Sequence, residues 1–216
     1  MRLAYETLTI GPMGNNVYFL IDQDTQDCVI IDPGFLPRAQ LDFIKENGWN
    51  LRQIWVTHGH FDHTAGVKAI SEAFDPPVPI AMHMASFDWA RQNPSFGSYG
   101  ITVDEIPRID IPLVHGIKLS IDPQGEDKVV EVRDVSGHNP GSVIFYCPEL
   151  KIAMVGDAIF RESIGRTDFA GSNHQLLLKN IRSQIYSLPD DTVLLPGHMG
   201  TTTVGHEKRF NPFVRG

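Results

Sequence analysis

Cysteine is scarce. The chain has two, Cys28 and Cys147, among 216 residues, and they lie far apart in the sequence. That excludes a disulfide-framed fold; one bridge is possible, but two thiols that stay reduced in a cytoplasm are expected, and neither lies in a motif with metal spacing. Long apolar runs are also missing. Nothing approaches the roughly 20 residues needed to span a bilayer. The opening Met1-Arg2-Leu3-Ala4-Tyr5-Glu6 has no apolar export core. A cytoplasmic location without membrane contact is therefore expected. Positive charge is in deficit, with 18 Lys and Arg against 26 Asp and Glu and a net charge of -8. This argues against a nucleic-acid partner, which usually needs a basic face; bound cations would offset part of the charge. Linkers and low-complexity stretches are lacking too. With 42% hydrophobic and 20% charged residues, the composition is that of a globular chain with a sizeable core. A single domain over residues 1–216 is expected.

Histidine, by contrast, is concentrated. Three of the nine fall in Thr57-His58-Gly59-His60-Phe61-Asp62-His63-Thr64. The apolar run Ile54-Trp55-Val56 before it reads as a buried strand, and Val67, Ile70 and Phe74 behind it have helical spacing. The cluster thus sits on a strand-to-helix loop, where function rests on a rigid scaffold. Imidazole and carboxylate together suit zinc, iron or manganese. On extended backbone His58 and His60 point the same way. Asp62 and His63 lie a turn further on and can face a second point, so one loop can serve two adjacent metal ions.

Around this loop the sequence alternates apolar runs with turns. Leu3–Ile10 and Val17–Ile21 read as a hairpin, and Cys28–Ile31 as a buried strand stopping at Asp32-Pro33-Gly34. Pro37 opens a helix that ends near Gly48. Pro76–Met82 reads as a turn and a short strand. Residues 85–115 have a weak pattern and are expected to be an irregular segment near the site mouth. A hairpin follows, Ile117–Ile121 and Val129–Val135 about the turn Pro123–Asp127. Ser142–Tyr146 and Ile152–Val155 are two further strands. Ser172 and Gln175 suggest a capping box for a helix carrying Leu177, Ile181, Ile185 and Leu188. Thr192–Leu195 reads as the last buried strand, before a polar tail. The strands ending at Asp32 and Asp157 look like counterparts. That predicts an α/β chain with two sheets in a sandwich, helices outside, from two related halves.

Three more metal-capable residues follow apolar strands, each directly after a glycine: His138 in Gly137-His138-Asn139-Pro140-Gly141, Asp157 in Gly156-Asp157, and His198 in Pro196-Gly197-His198. Glycine permits the sharp turn and close approach such positions need. Strand ends on one sheet edge would bring all three beside the first loop.

Together these motifs resemble the metallo-β-lactamase superfamily over essentially the whole chain. Within it the chain is most similar to compact glyoxalase II-like hydrolases, through Phe160–Asp168 and the tail Thr201–Glu207 with Asn211-Pro212-Phe213. The resemblance implies a four-layer αββα sandwich. It implies that His58, His60 and His138 hold one metal, that Asp62, His63 and His198 hold another, and that Asp157 bridges both. Two divalent ions are implied, zinc first, with iron or manganese as alternatives. A bridging water brought to a pKa of about 7 would attack a carbonyl. Asp62 would orient it, Asp157 would hold the pair together, and a thioester's thiolate would leave without an acid. The expected partner is a small thioester.

Two positions depart from the usual glyoxalase pattern His-Thr-Pro-Gly-His, which here reads His138-Asn139-Pro140-Gly141-Ser142. The short stretch after His198 also leaves no room for the helical domain that supplies glutathione contacts in full-length glyoxalase II. Persulfide dioxygenases resemble the chain as well, through Gly165-Arg166-Thr167-Asp168, and would place one iron on His58, His138 and Asp157. A β-lactamase is expected less, for want of an export signal. Arg166 is either a substrate-carboxylate contact or the partner of Asp168. Asp32 either supports a ligand or starts a turn. His83, His115, His174 and His206 are expected to be structural or solvent-facing, and Trp89 and Tyr99 to be core or mouth aromatics.

Overall fold

The structure is a computed structural model that describes residues 2–93, 103–122 and 129–216. The expected turn Pro123–Asp127 and Tyr99 lie outside the described residues.

Two six-stranded sheets carry the fold. The first comprises β1 (Leu3–Ile10), β2 (Asn15–Asp22), β3 (Asp27–Ile31), β4 (Asn50–Trp55), β5 (Ile80–Met82) and β6 (Ile111–Pro112), in that spatial order. The second holds β7 (Lys118–Leu119), β8 (Val130–Asp134), β9 (Val143–Cys147) and β10 (Ile152–Gly156). A small hairpin of β11 (Ile159–Phe160) and β12 (Ser163–Ile164) precedes its remaining strands, β13 (Val193–Pro196) and β14 (Thr202–Thr203). In each half two antiparallel pairings lead to a parallel one, β1-β2-β3 to β4 and β8-β9-β10 to β13. The expected correspondence of the strands ending at Asp32 and Asp157 is thus present in the topology.

The continuous apolar strands are buried on both faces. Their period of two sends Val29 and Ile31 between the sheets and Cys28 and Ile30 toward the helices. Between the sheets Trp55 packs on Phe145 with ring centroids 5.2 Å apart. Outside the first sheet lie α1 (Pro37–Glu46), α2 (Phe61–Thr64), α3 (Val67–Ser71) and α4 (Met84–Gln92). Ile44, Val67, Ile70 and Phe87 of this layer join the core facing Phe19 and Ile54. Outside the second sheet, α5 (His174–Asn180) continues into a π-helical turn, Ile181–Ile185. Leu177, Ile181 and Ile185 are fully buried against Ile144, Val155 and Leu194; burial of each contributes about 1.5–3 kcal/mol. The layers are therefore α, β, β, α, as expected.

Three local expectations need correction. The segment from 85 opens as helix α4, because the His83 ring caps it by accepting the Ala85 N–H. Helix α5 is capped by Asn173, which accepts the Leu176 N–H. Ser172 instead donates its hydroxyl to the His138 carbonyl at 2.7 Å. The polar tail is folded: it forms β14 and α6 (Val204–Phe210). Both cysteines are free and buried, and burial pushes the Cys28 thiol up to about 12. Among the described residues no helix is long and apolar enough to cross a membrane.

Glu207 on α6 is fully buried. Its carboxylate accepts the Thr202 hydroxyl at 2.5 Å, the Asn211 amide at 2.8 Å and the Glu162 N–H at 3.0 Å, and Asn211 also donates to the Ser163 carbonyl. The tail thereby fixes the β11–β12 hairpin. Glu207→Ala takes the acceptor from three donors, two of them buried, and is expected to lower unfolding free energy by about 3 kcal/mol. Chemical denaturation reads this directly; a loss within experimental error would show that the tail does not brace the hairpin.

Candidate metal centre

Strands β3 and β4 run in one direction, and β8 and β10 likewise share a direction. Asp32, the loop starting at Thr57, His138 and Asp157 consequently follow strand ends at one edge of the sandwich. His198 joins them after β13, which is parallel to β10. All seven expected ligand residues converge there. Two groups able to hold a metal ion are made of these seven alone, His58, His60, His138 and Asp157 in one, and Asp62, His63 and His198 in the other; Asp32 with His58 and His63 forms a third, overlapping group. The Asp157 carboxylate lies between them: Oδ2 is 3.7 Å from His138 Nε2 and 3.6 Å from His198 Nε2, and Oδ1 is 3.4 Å from His63 Nε2.

Close packing at this edge depends on glycine. A Cβ on Gly197 would strike the Asp157 carboxylate and the His63 ring, and one on Gly165 would strike the Asp157 carbonyl and the His138 ring.

The hydrogen bonds decide which ring nitrogen carries the proton. His138 Nδ1 meets the Arg166 carbonyl at 2.8 Å and His198 Nδ1 meets the Met13 carbonyl at 3.1 Å. Carbonyls only accept, so both Nδ1 atoms donate. His63 Nδ1 donates to Asp32 Oδ2 at 2.9 Å. The Thr57 hydroxyl gives its proton to Asp32 at 2.6 Å and therefore accepts from His58 Nδ1 at 2.9 Å. In the neutral rings all four Nε2 atoms are then lone-pair donors. Those of His58 and His138 both face His60 Nδ1, at 3.1 and 2.9 Å, and a single proton there cannot serve both. His198 Nε2 faces Asp62 Oδ2 at 3.2 Å. His63 Nε2 and Asp157 Oδ1 are buried without a hydrogen bond among the described residues. Acceptors aimed at acceptors in a buried site call for cations. This set of imidazoles and carboxylates fits divalent ions of the zinc, iron or manganese class.

The titration behaviour agrees. Burial, then the neighbouring His138, holds His60 down to about 3. Burial and the crowding of rings also lower His58, and burial lowers His138 despite Asp157. For His63 burial works the same way, but the Asp157 and Asp62 carboxylates outweigh it and raise it well above the usual range. His198 is raised as well, with its Asp62 hydrogen bond and Asp157 overcoming burial. Burial would raise the Asp62 and Asp157 carboxyls, yet the facing imidazoles pull both below the usual range.

Asp32 is the support of this site. Besides Thr57 and His63 it accepts the Thr57 N–H at 2.7 Å, so it acts both on the loop and on a donor ring. Arg166 pairs with Asp168 through two bonds of 3.0 and 2.8 Å, and Arg166 also borders the cavity over the donors. Trp89 is buried, donates to the Ala170 carbonyl and packs 5.0 Å from His60. His83 caps α4; His115 accepts the Asp134 N–H, His174 meets Thr167, and His206 meets Glu162. None of these four joins a donor group.

Other supporting residues had weaker signals. Asn15 donates to Asp62 Oδ2 at 3.0 Å, although the sequence shows it only as part of a hairpin turn. Asn139, the departure from the glyoxalase pattern, accepts from the Gly59 N–H at 3.3 Å, beside the Ser86 hydroxyl that donates to the Pro140 carbonyl at 2.7 Å. It ties the His138 loop to the first histidine loop. The cavity above, about 560 Å³, is walled by Met13, Phe160, Phe169 and Met199. Sequence spacing points to none of these.

The model of the metallo-beta-lactamase superfamily matches residues 10–198, and the chain belongs to that superfamily. It is 34% identical to a probable metallo-hydrolase, YqgX, of Bacillus subtilis, over 99% of both chains. It is 29% identical to the hydroxyacylglutathione hydrolase GloC of Haemophilus influenzae, over 90% of this chain and 91% of that one. Among solved structures it is similar to the B3 metallo-beta-lactamase BLEG-1, at TM-score 0.88 and 32% identity over 99% of this chain and 100% of the other. It is also similar to TTHA1623 in a di-iron-bound form, at TM-score 0.84 and 32% identity over 97% and 100%. The fold is thus that of a metallo-hydrolase superfamily.

Two outcomes are expected. Asp32→Ala removes the acceptor that orients His63 and should weaken metal binding by roughly 10–100-fold, measured by chelator competition; unchanged affinity would contradict the supporting role. Because His63 and His198 are raised, protons compete with metal at neutral pH. Metal affinity should therefore fall as pH falls, with protons released on loading; titration in weak buffer detects both, and pH-independent binding would contradict the raised proton affinity of His63 and His198.

Proposed function

We propose that this chain is a binuclear metal-dependent thioesterase of the glyoxalase II reaction type. The observation that carries this reading is the Asp157 carboxylate set between two separate donor groups. His58, His60 and His138 would hold one ion, Asp62, His63 and His198 the other, and Asp157 both. When bound, the ions would supply an acidified water at neutral pH and polarise the substrate carbonyl; zinc is the first candidate.

The residues of the chain do the rest. Carbonyls of Arg166 and Met13 and the carboxylate of Asp32 fix ring orientation before substrate arrives. Asp62, held by Asn15 and kept ionised, orients the attacking water. Phe160 and Phe169 limit bulk water around the reacting carbonyl. Among the described residues the cavity wall offers no carboxylic acid besides Asp62 and Asp157. A leaving thiolate with a pKa near 8.5 needs none. The relation to GloC supports a thioester substrate, and the di-iron form of TTHA1623 supports two ions.

The likeness to BLEG-1 favours a second reading, β-lactam hydrolysis. It weighs less, because a departing amine needs a proton donor. A mononuclear iron dioxygenase using His58, His138 and Asp157 would leave the second donor group without a role. Purified metal-loaded protein should hydrolyse acyl thioesters in a chelator-sensitive way, leave a chromogenic β-lactam largely intact, and take up no oxygen with a persulfide. Asp157→Ala should cut thioester turnover by on the order of 10³-fold and lower metal content. Oxygen uptake without hydrolysis, or full activity of the variant, would overturn the proposal.

A further inference from the structure

The cavity over the donor groups has one kind of wall. Met13, Phe61, Phe160, Ile164, Phe169 and Met199 supply it, and they flank both metal-facing sides. Phe169 stands 5.5 Å from the His60 ring and 6.2 Å from the His138 ring. Phe160 stands 6.3 Å from His198 on the other side. Met199 is 68% exposed and Met13 40%, an open apolar rim that gains by being covered. Methionine side chains are flexible and adapt to varied apolar shapes.

Polar recognition is sparse by comparison. Apart from the donor residues, the described lining contains one charged side chain, Arg166, and one hydroxyl, Ser163. The guanidinium carbon lies 4.3 Å over the Phe169 ring, so the charge sits just past the apolar wall on the His60 and His138 side. Its pair with Asp168 is about two-thirds exposed on both sides. Such a solvent-screened pair is weak, and a substrate carboxylate can replace Asp168.

We infer that the cognate thioester is apolar on both sides of its carbonyl and carries a single carboxylate at one end, where it meets Arg166. This rests on the thioesterase reading. A glutathione moiety has two carboxylates, an ammonium and two amides, and among the described lining residues only Arg166 and Ser163, besides the donors, offer polar side chains to meet them.

The test uses metal-loaded protein and four probes, lactoyl and hexanoyl thioesters of glutathione and of 3-mercaptopropionate. Hexanoyl-mercaptopropionate should exceed S-lactoylglutathione in kcat/KM by about tenfold or more, as expected for several apolar methylenes taken from water. Met199→Ser should reduce hexanoyl turnover more than lactoyl turnover. Arg166→Gln should raise KM for the free acid but not for its methyl ester. S-lactoylglutathione as the best probe would overturn the inference and keep the thioesterase. Should no thioester be hydrolysed, the thioesterase reading falls and binding decides alone. Calorimetry with the inert thioethers 3-(hexylthio)propanoate and S-hexylglutathione then reads the cavity's preference alone: tighter binding of the former keeps an apolar, singly carboxylated ligand class without the thioester, and tighter binding of the latter overturns it.

Discussion

Buried acceptors that face other acceptors are the constraint on which this structure depends. Five imidazoles and two carboxylates crowd one edge of the sandwich, and hydrogen bonds from outside fix four rings with lone pairs inward. Without cations, protonating His63 and His198, the two rings whose surroundings raise their pKa, relieves the Asp62 side, while His58 and His138 still share His60 Nδ1. The fold therefore holds a geometry that is costly by itself and favourable with divalent ions, which couples metal binding to stability.

The supports are layered outward from that edge. Backbone carbonyls of Met13 and Arg166 and the side chain of Asp32 set the rings. Asn16 and Tyr18 of the first hairpin reach across to the Pro196 carbonyl, at 3.0 and 2.7 Å, and so join the two sheets at the site. Glu207 and Asn211 then hold the hairpin whose Phe160 and Ile164 wall the cavity. The same residues that fix the donors thus also shape the space above them.

Much of the donor set was legible because its signal is local. His58 to His63 is a dense run, and His138, Asp157 and His198 each follow a glycine at an apolar strand end. The sandwich was legible from continuous apolar strands, which report burial on both faces. Helix α4 was not, since its capping histidine, His83, is not a usual capping residue. The cap of α5 was placed one residue early, because Ser172 spends its hydroxyl on the His138 loop instead. Glu207 and Asn15 were illegible for a common reason: a polar residue in a polar stretch shows nothing of the buried partners that tertiary folding gives it. The cavity wall is illegible likewise, since Met13, Phe169 and Met199 come from three distant loops.

The most direct measurement is anomalous X-ray diffraction at the metal edge on crystals of the metal-loaded protein. Two peaks on either side of the Asp157 carboxylate, one against His58, His60 and His138 and one against Asp62, His63 and His198, are the predicted result. A single peak on the first group, with the second occupied by water alone, would contradict the binuclear account.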